Sequence, residues 1–173
     1  MMAVAKGDLD AFGEIVLRYR SAAWGVAHRF VGDADEAEDL VQEAFLRILD
    51  SAGRYKPTAS FRTYLYRVLT HLCVDYSRKK RPIPTEQLPE VPTPGPSQSE
   101  RIERRELEEA IRAALDALPP KYRMVIVLRY FEGLSGREIA QALKTTPKGV
   151  ERLLARARSS LEPLLRPFHE ENR

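Results

Sequence analysis

The sequence predicts an all-α protein built as two small helical domains joined by a proline-rich linker. Apolar residues recur at steps of three and four over most of the chain, the spacing of one face of an α-helix. No segment holds the strict alternation of a half-buried strand between turn signals. Six of the twelve prolines fall at positions 82, 84, 89, 92, 94 and 96, within the run PIPTEQLPEVPTPGPSQSE. Proline fixes φ and removes an amide donor, so this run reads as an extended, semi-rigid connector over 82–100. Helical domains are expected over 1–81 and 101–173, and a 43% hydrophobic content in 173 residues suffices for their packed cores.

The amino-terminal part carries three apolar stripes. The first runs from Phe12 through Ile15, Tyr19, Ala23 and Val26 to Phe30. The second, from Ala37 through Leu40, Val41, Ala44 and Phe45 to Leu49, opens at GDADE, where Asp33 or Asp35 can cap three residues ahead of Glu36 or Glu38. The third runs from Phe61 through Leu65, Val68, Leu69 and Leu72 to Tyr76. Three amphipathic helices of this kind form a small bundle that buries one face of each.

In the carboxy-terminal part an acidic, arginine-rich helix with Leu107, Ile111, Ala114 and Leu118 ends at Pro119-Pro120, and a second helix follows through KYRMVIVLRYF. Ser135 and Glu138 make a capping box for a short helix that runs to about Leu143. Lys144-Thr145-Thr146 form a turn, and Pro147 suits the first position of a new helix capped by Thr146 and continuing to Leu161. A short helix, a three- or four-residue turn and a longer helix is the helix-turn-helix plan.

Composition restricts the chemistry. The 28 Lys+Arg against 25 Asp+Glu leave a net charge of +3, which permits an anionic partner without demanding one. One cysteine, Cys73, cannot form an internal disulfide, and His28, His71 and His169 build no cluster with metal-ligand spacing. Glycine loops that cradle phosphate and nucleophile–base pairs are also missing, so no catalytic residue, metal or cofactor is expected. The start MMAVAKGDLDAF lacks a basic stretch followed by a long apolar run, and nothing approaches a membrane span, so a cytoplasmic protein with no membrane contact of its own is expected.

Three surfaces remain as candidates. On the last helix Lys148, Glu151, Arg152, Ala155 and Arg156 share the face opposite Val150, Ala157 and Leu161. Small Ala155 lets that face approach base edges, where Arg152 or Arg156 can donate twice to a guanine and Glu151 can accept from a cytosine. The plainer alternative is a solvated, salt-bridged face. On the third helix Thr63, Arg67, Thr70, His71, Val74 and Arg78 share an outward sector with Tyr66 at its edge, running into Arg78-Lys79-Lys80-Arg81. Such a basic surface can track a nucleic-acid backbone while unstacked bases pack on Tyr66 or Tyr55, although a basic helix end is also ordinary dipole compensation. On the second helix Asp39, Gln42, Glu43 and Leu46 oppose the core stripe. That leucine among acidic groups suits protein docking better than DNA, or is a surface leucine of no consequence.

Together these features resemble the extracytoplasmic-function group of bacterial RNA polymerase sigma factors, over nearly the whole chain. The carriers are GDLDAFGEIVLRY, DEAEDLVQEAFLRIL and FRTYLYRVLTHLCVDYSRKKR, then LDALPPKYRMVIVLRYFEGLSGREIAQAL and GVERLLARARSSL. The resemblance implies a non-catalytic subunit whose 1–81 domain is sigma region 2 and whose 101–173 domain is sigma region 4. Asp39, Gln42, Glu43 and Leu46 would dock on the clamp helices of the largest subunit of core RNA polymerase. Tyr55, Arg62, Thr63, Tyr66, Arg67, Thr70, His71 and Arg78 would open and read the −10 element of promoter DNA as single strand. Thr146, Lys148, Glu151, Arg152, Ala155 and Arg156 would read the −35 element as duplex. Control by an anti-sigma factor that occludes both domains is implied as well.

Some positions depart from the family's pattern. His71 stands where asparagine is common, Lys144 where the turn often has glycine, and Leu153 where arginine is frequent. Arg152 takes a serine position and Glu151 replaces a basic residue, so specificity at both elements is expected to be unusual. Lys144 would need a left-handed backbone. Cys73 lies on the apolar side of its helix and is expected in the core. Two other classes fit less well: a stand-alone helix-turn-helix regulator lacks a dimerisation segment, and a nucleic-acid enzyme lacks a catalytic site.

Overall fold

A computed structural model of the chain describes residues 1–79 and 98–171, with the backbone path alone at 98–106 and 167–171. The linker expected over 82–100 lies outside the described residues from 82 to 97, as do Lys80 and Arg81 of the basic run and the side chain of His169. Among the described residues the fold is entirely helical, with no strand.

Helix α1, Leu9–Val31, is capped by the Asp8 carboxylate, which accepts from the Ala11 amide at 2.9 Å. It stops at Gly32, whose φ of 79° is the left-handed region where glycine avoids a Cβ penalty. Of the two aspartates available for α2, Ala34–Asp50, Asp33 serves as the cap, accepting from the Glu36 amide at 2.9 Å. Helix α3, Phe61–Lys79, starts at Ser60, whose hydroxyl accepts from the Thr63 amide. The three helices pack into a bundle around Val26, Phe30, Val41, Ile48, Leu65 and Leu69. Cys73 is fully buried among them, and burial pushes its thiol up to about 12, so it is a core side chain rather than a reactive one.

Helix α4, Gln98–Asp116, begins three residues inside the stretch assigned to the linker. Beyond Pro96 no proline bars a helix, and Gln98, Glu100 and Arg101 are good helix formers. Pro119 and Pro120 separate α4 from α5, Pro120–Ile126, with Pro120 at the first position, where its missing amide costs nothing. Met124, Val125, Ile126, Val127 and Leu128 are all buried, so the end of this helix is covered all round. It does not continue as a regular α-helix: Val127–Phe131 widens into a π-type turn closed by the Glu132 amide on the Val127 carbonyl at 3.2 Å.

Helix α6, Gly136–Ala142, opens on the expected capping box. Lys144 then takes φ 50°, the left-handed conformation anticipated for the turn. Helix α7, Pro147–Glu171, begins at the expected proline, with the Thr146 hydroxyl accepting from the Gly149 amide at 3.1 Å. A Cβ at Gly149 would come within 2.5 Å of Thr145 Oγ1, so a larger residue there requires the exposed Thr145 side chain to turn aside. The helix continues ten residues past Leu161, through Pro163 and Pro167. Leu161 and Leu165 line a groove with Ile111 and Leu115 of α4, which lies beside this proline-bearing part of α7.

The capping box gives a measurable prediction. Ser135→Ala should lower stability by about 1 kcal/mol in urea unfolding. Hydrogen bonds from the Ser135 hydroxyl and amide hold the Glu138 carboxyl below its ordinary 4.5. The charged form is the stabilised one, so the contribution is complete above that value and fades as pH falls through the lowered folded value. The gap between native chain and variant should therefore narrow below pH 4.5; a constant gap contradicts the box.

Candidate nucleic-acid and polymerase surfaces

On α2 the candidate docking stripe stands opposite the core face formed by Ala37, Leu40, Val41, Ala44 and Ile48. Asp39 and Gln42 are exposed, Leu46 is 49% exposed, and Glu43 is half-buried with its carboxylate accepting from Arg47 Nε at 2.6 Å. A surface i,i+4 pair of this kind contributes no more than about 0.5 kcal/mol, so a partner can displace it cheaply. The arrangement is an apolar knob flanked by hydrogen-bonding groups.

On α7, Val150 and Ala157 are fully buried and Leu153 and Leu154 half-buried, which turns Lys148, Glu151, Arg152, Ala155 and Arg156 to solvent, with Thr146 exposed at the helix start. Beside them is a depression of about 330 Å³ lined by Lys121, Lys144, Thr145, Gly149, Arg152 and Arg156. Sequence reasoning missed Lys121, which stands on α5 and joins the surface only through tertiary packing. Lys144 was noted for its backbone, not its charge. The depression brings four cations together where a phosphate chain would pass a helix-turn-helix.

On α3 the expected outward sector is only partly open. Arg67, His71 and Arg78 are exposed and Val74 is half-buried, whereas Thr63 and Thr70 are each 3% exposed and Tyr66 only 1%. The cause is tertiary: α6 and α5 pack against α3, and Glu132, just after the π-type turn, bonds to it. Arg62, half-buried, donates through Nη2 to the Glu132 carbonyl, and the Tyr66 hydroxyl donates to Glu132 Oε2 at 2.5 Å. Burial first, and then this bond to a carboxylate, raise the Tyr66 phenol above its ordinary range. Tyr55 is half-buried, its ring 5.1 Å from that of Tyr64, which also lies under the Arg67 guanidinium at 5.2 Å.

Three further contacts join the two halves. Arg123 of α5 donates to the Phe30 carbonyl at the end of α1 at 2.5 Å and to the Asp116 carbonyl at 2.7 Å, and pairs with the Asp116 carboxylate at 2.9 Å. Arg29 stands over the Phe131 ring at 4.8 Å, and the half-buried His28, stacked on Trp24, feels Arg112 of α4. Sequence reasoning missed Arg123, Phe131 and Glu132, because no local pattern marks a residue whose partner lies 66 to 102 positions away. In the carboxy-terminal half, Ile111, Leu115, Ile126, Tyr130, Phe131, Leu161 and Leu165 line an open apolar groove of about 530 Å³. Among the described residues no group of His, Cys, Asp and Glu could hold a metal, and no helix is long and apolar enough to cross a membrane.

Comparison with known proteins places this geometry in a family. Residues 15–83 match Sigma-70 region 2, and residues 108–161 match Sigma-70, region 4. The ECF RNA polymerase sigma factor SigW of Bacillus subtilis (strain 168) is 35% identical, over 94% of this chain and 93% of that one. The chain belongs to the extracytoplasmic-function sigma factors. The RNA polymerase sigma-H factor of Pseudomonas aeruginosa is 31% identical over 97% of this chain and 93% of its own. Among solved structures, CnrH in complex with the cytosolic domain of CnrY superposes with a TM-score of 0.72 at 27% identity, covering 95% and 94% of the two chains. RpoE, in a complex with the anti-sigma factor NepR from Bartonella quintana, shares the fold with a TM-score of 0.67 at 20% identity, covering 90% and 97%. As a sigma factor of this group, the chain binds core RNA polymerase and directs initiation at promoters.

Proposed function

We propose that this sigma factor divides its task among three surfaces in two units, residues 1–81 as region 2 and 101–173 as region 4. The exposed stripe Asp39, Gln42, Glu43 and Leu46 docks on the clamp helices of the polymerase's largest subunit. The α3 face, with Arg62, Thr63, Tyr66, Arg67, Thr70, His71 and Arg78, and Tyr55 on the preceding loop, opens and reads the −10 element as single strand. Thr146, Lys148, Glu151, Arg152, Ala155 and Arg156 read the −35 element in the major groove, with Lys121 and Lys144 added as phosphate contacts. The observation that carries the proposal is the sidedness of α7: Val150 and Ala157 are inaccessible while Arg152 and Arg156 stand free beside a cationic depression.

The chain catalyses nothing itself, acts in the cytoplasm with polymerase and is controlled by an anti-sigma factor. Support for that control comes from CnrH, solved with the cytosolic domain of CnrY, whose fold this chain shares over almost its whole length. The open apolar groove between α4 and α7 is the surface such a partner would cover.

Run-off transcription with purified core polymerase tests the whole assignment. A promoter-dependent product is expected from genomic fragments, and none from any fragment would sink it. Arg152→Ala should weaken −35 duplex binding by about 1–3 kcal/mol and relax preference at one position. Unchanged affinity and base preference would remove Arg152 from the reader. Glu43→Lys reverses a charge on the dock and should abolish capture of core polymerase while duplex binding survives. Full retention in a pull-down would remove the stripe.

A further inference from the structure

The outward face of α1 carries a repeat that its own bundle does not use. Leu9, Gly13, Leu17 and Ser21 recur every four residues and are all exposed, Leu17 at 85% and Leu9 at 66%. A single exposed leucine is ordinary. Here two of them alternate with residues that have little or no side chain, so the row runs knob, notch, knob, notch. Gly13 supplies the sharper signal. It stands inside a 23-residue helix, where glycine is among the poorest formers, yet a Cβ built on it would meet nothing within 4 Å. Among the described residues, no packing accounts for the missing side chain.

A row at four-residue spacing is the ridge that two helices interleave when they cross at about 50°. Laid antiparallel on a second copy, this row is its own complement. Leu17 enters the notch at Gly13 of the second copy, Leu9 stands level with Ser21 of the second copy, and the two-fold axis repeats both contacts. A parallel pair would instead set leucine against leucine and notch against notch. The antiparallel register also matches charge. Asp10, Glu14 and Arg18 form the neighbouring row at the same spacing, and all three are exposed. Antiparallel packing sets Arg18 of one copy at a height between Asp10 and Glu14 of the other, where opposite charges fix register more than they add affinity.

We propose that α1 is a self-association surface, on which two copies of the free chain cross antiparallel through Leu9, Gly13, Leu17 and Ser21, held in register by Arg18 against Asp10 and Glu14. One helix crossing buries well under the roughly 1,200 Å² of a stable interface, so the dimer is weak, with a dissociation constant on the order of 0.1 mM.

Sedimentation velocity of the full chain, from well below to well above that concentration, should show monomer giving way to dimer and to nothing larger. Gly13→Leu fills the notch where nothing in the chain obstructs it, so this variant should keep native helix content and melting temperature while dimerisation weakens about tenfold or more. Arg18→Glu makes the charged row uniformly acidic, and Asp10→Arg with Glu14→Arg makes it uniformly basic. Each of these should stay monomeric alone, and an equimolar mixture of the two should associate. Disulfide capture reads the register. Leu9→Cys mixed with Ser21→Cys should give the crossed disulfide under mild oxidation and not the like pairs, with the buried Cys73 taking no part.

A native chain that stays monomeric throughout overturns the proposal, and so do dimers that Gly13→Leu and both charge variants leave unchanged. Disulfides between like positions overturn the antiparallel register on which it rests. If the native chain is monomeric and Leu17→Glu loses capture of core polymerase, the face belongs to polymerase and not to a second copy.

Discussion

Five consecutive buried side chains, Met124 to Leu128, set the constraint on which the rest of the structure depends. A helix solvated on one side cannot hide five residues in a row, because its faces turn by about 100° per residue. Neighbours must therefore stand all round α5. Helix α7 supplies one wall, and α1 and α3 of the other half supply another. One apolar cluster consequently runs from Ala23 through Leu69 to Ala157, although the chain is composed as two units. Arg123, one residue before the buried run, uses the same proximity to reach the end of α1.

Local chemistry was legible in the sequence and distant chemistry was not. Ser135 with Glu138, Thr146 with Pro147, and the left-handed Lys144 all fell where a reading of a few residues places them, because caps and turns are decided within about one helical turn. The inward set of α7 was equally readable from its period, with Val150 and Ala157 buried. The outward set of α3 was misjudged for Thr63, Tyr66 and Thr70. Polarity and period identify the face away from its own bundle, but they do not reveal that another helix packs there. The lengths of α4 and α7 erred in the same direction, since prolines at 96, 163 and 167 mark where a helix is disfavoured rather than where packing lets it run.

The three surfaces differ in how they are built. The α2 stripe is a single helix face, so its residues can change without disturbing the core behind Val41 and Ile48. The cationic depression is composite: Lys121 arrives from α5, Lys144 from a turn and Arg152 from α7. Thr145, Gly149 and the Thr146 cap shape its floor at the start of α7. The α3 face is composite in the opposite sense, because its present partners belong to the other half of the molecule. Its Arg62 and Tyr66 donate to the backbone carbonyl and the carboxylate of Glu132.

Helix α7 joins two environments that are otherwise separate. At 25 residues and about 1.5 Å per residue, it is a rod of about 37 Å. Its first turns carry Lys148 and Arg152 in solvent, and its later turns place Leu161 and Leu165 along the groove with α4. Val150 and Ala157 anchor the arginine-bearing turns in the core, so a body wedged into the groove would bear on the same helix that presents the arginines. The cationic face and the groove are thus one helix seen from its two ends.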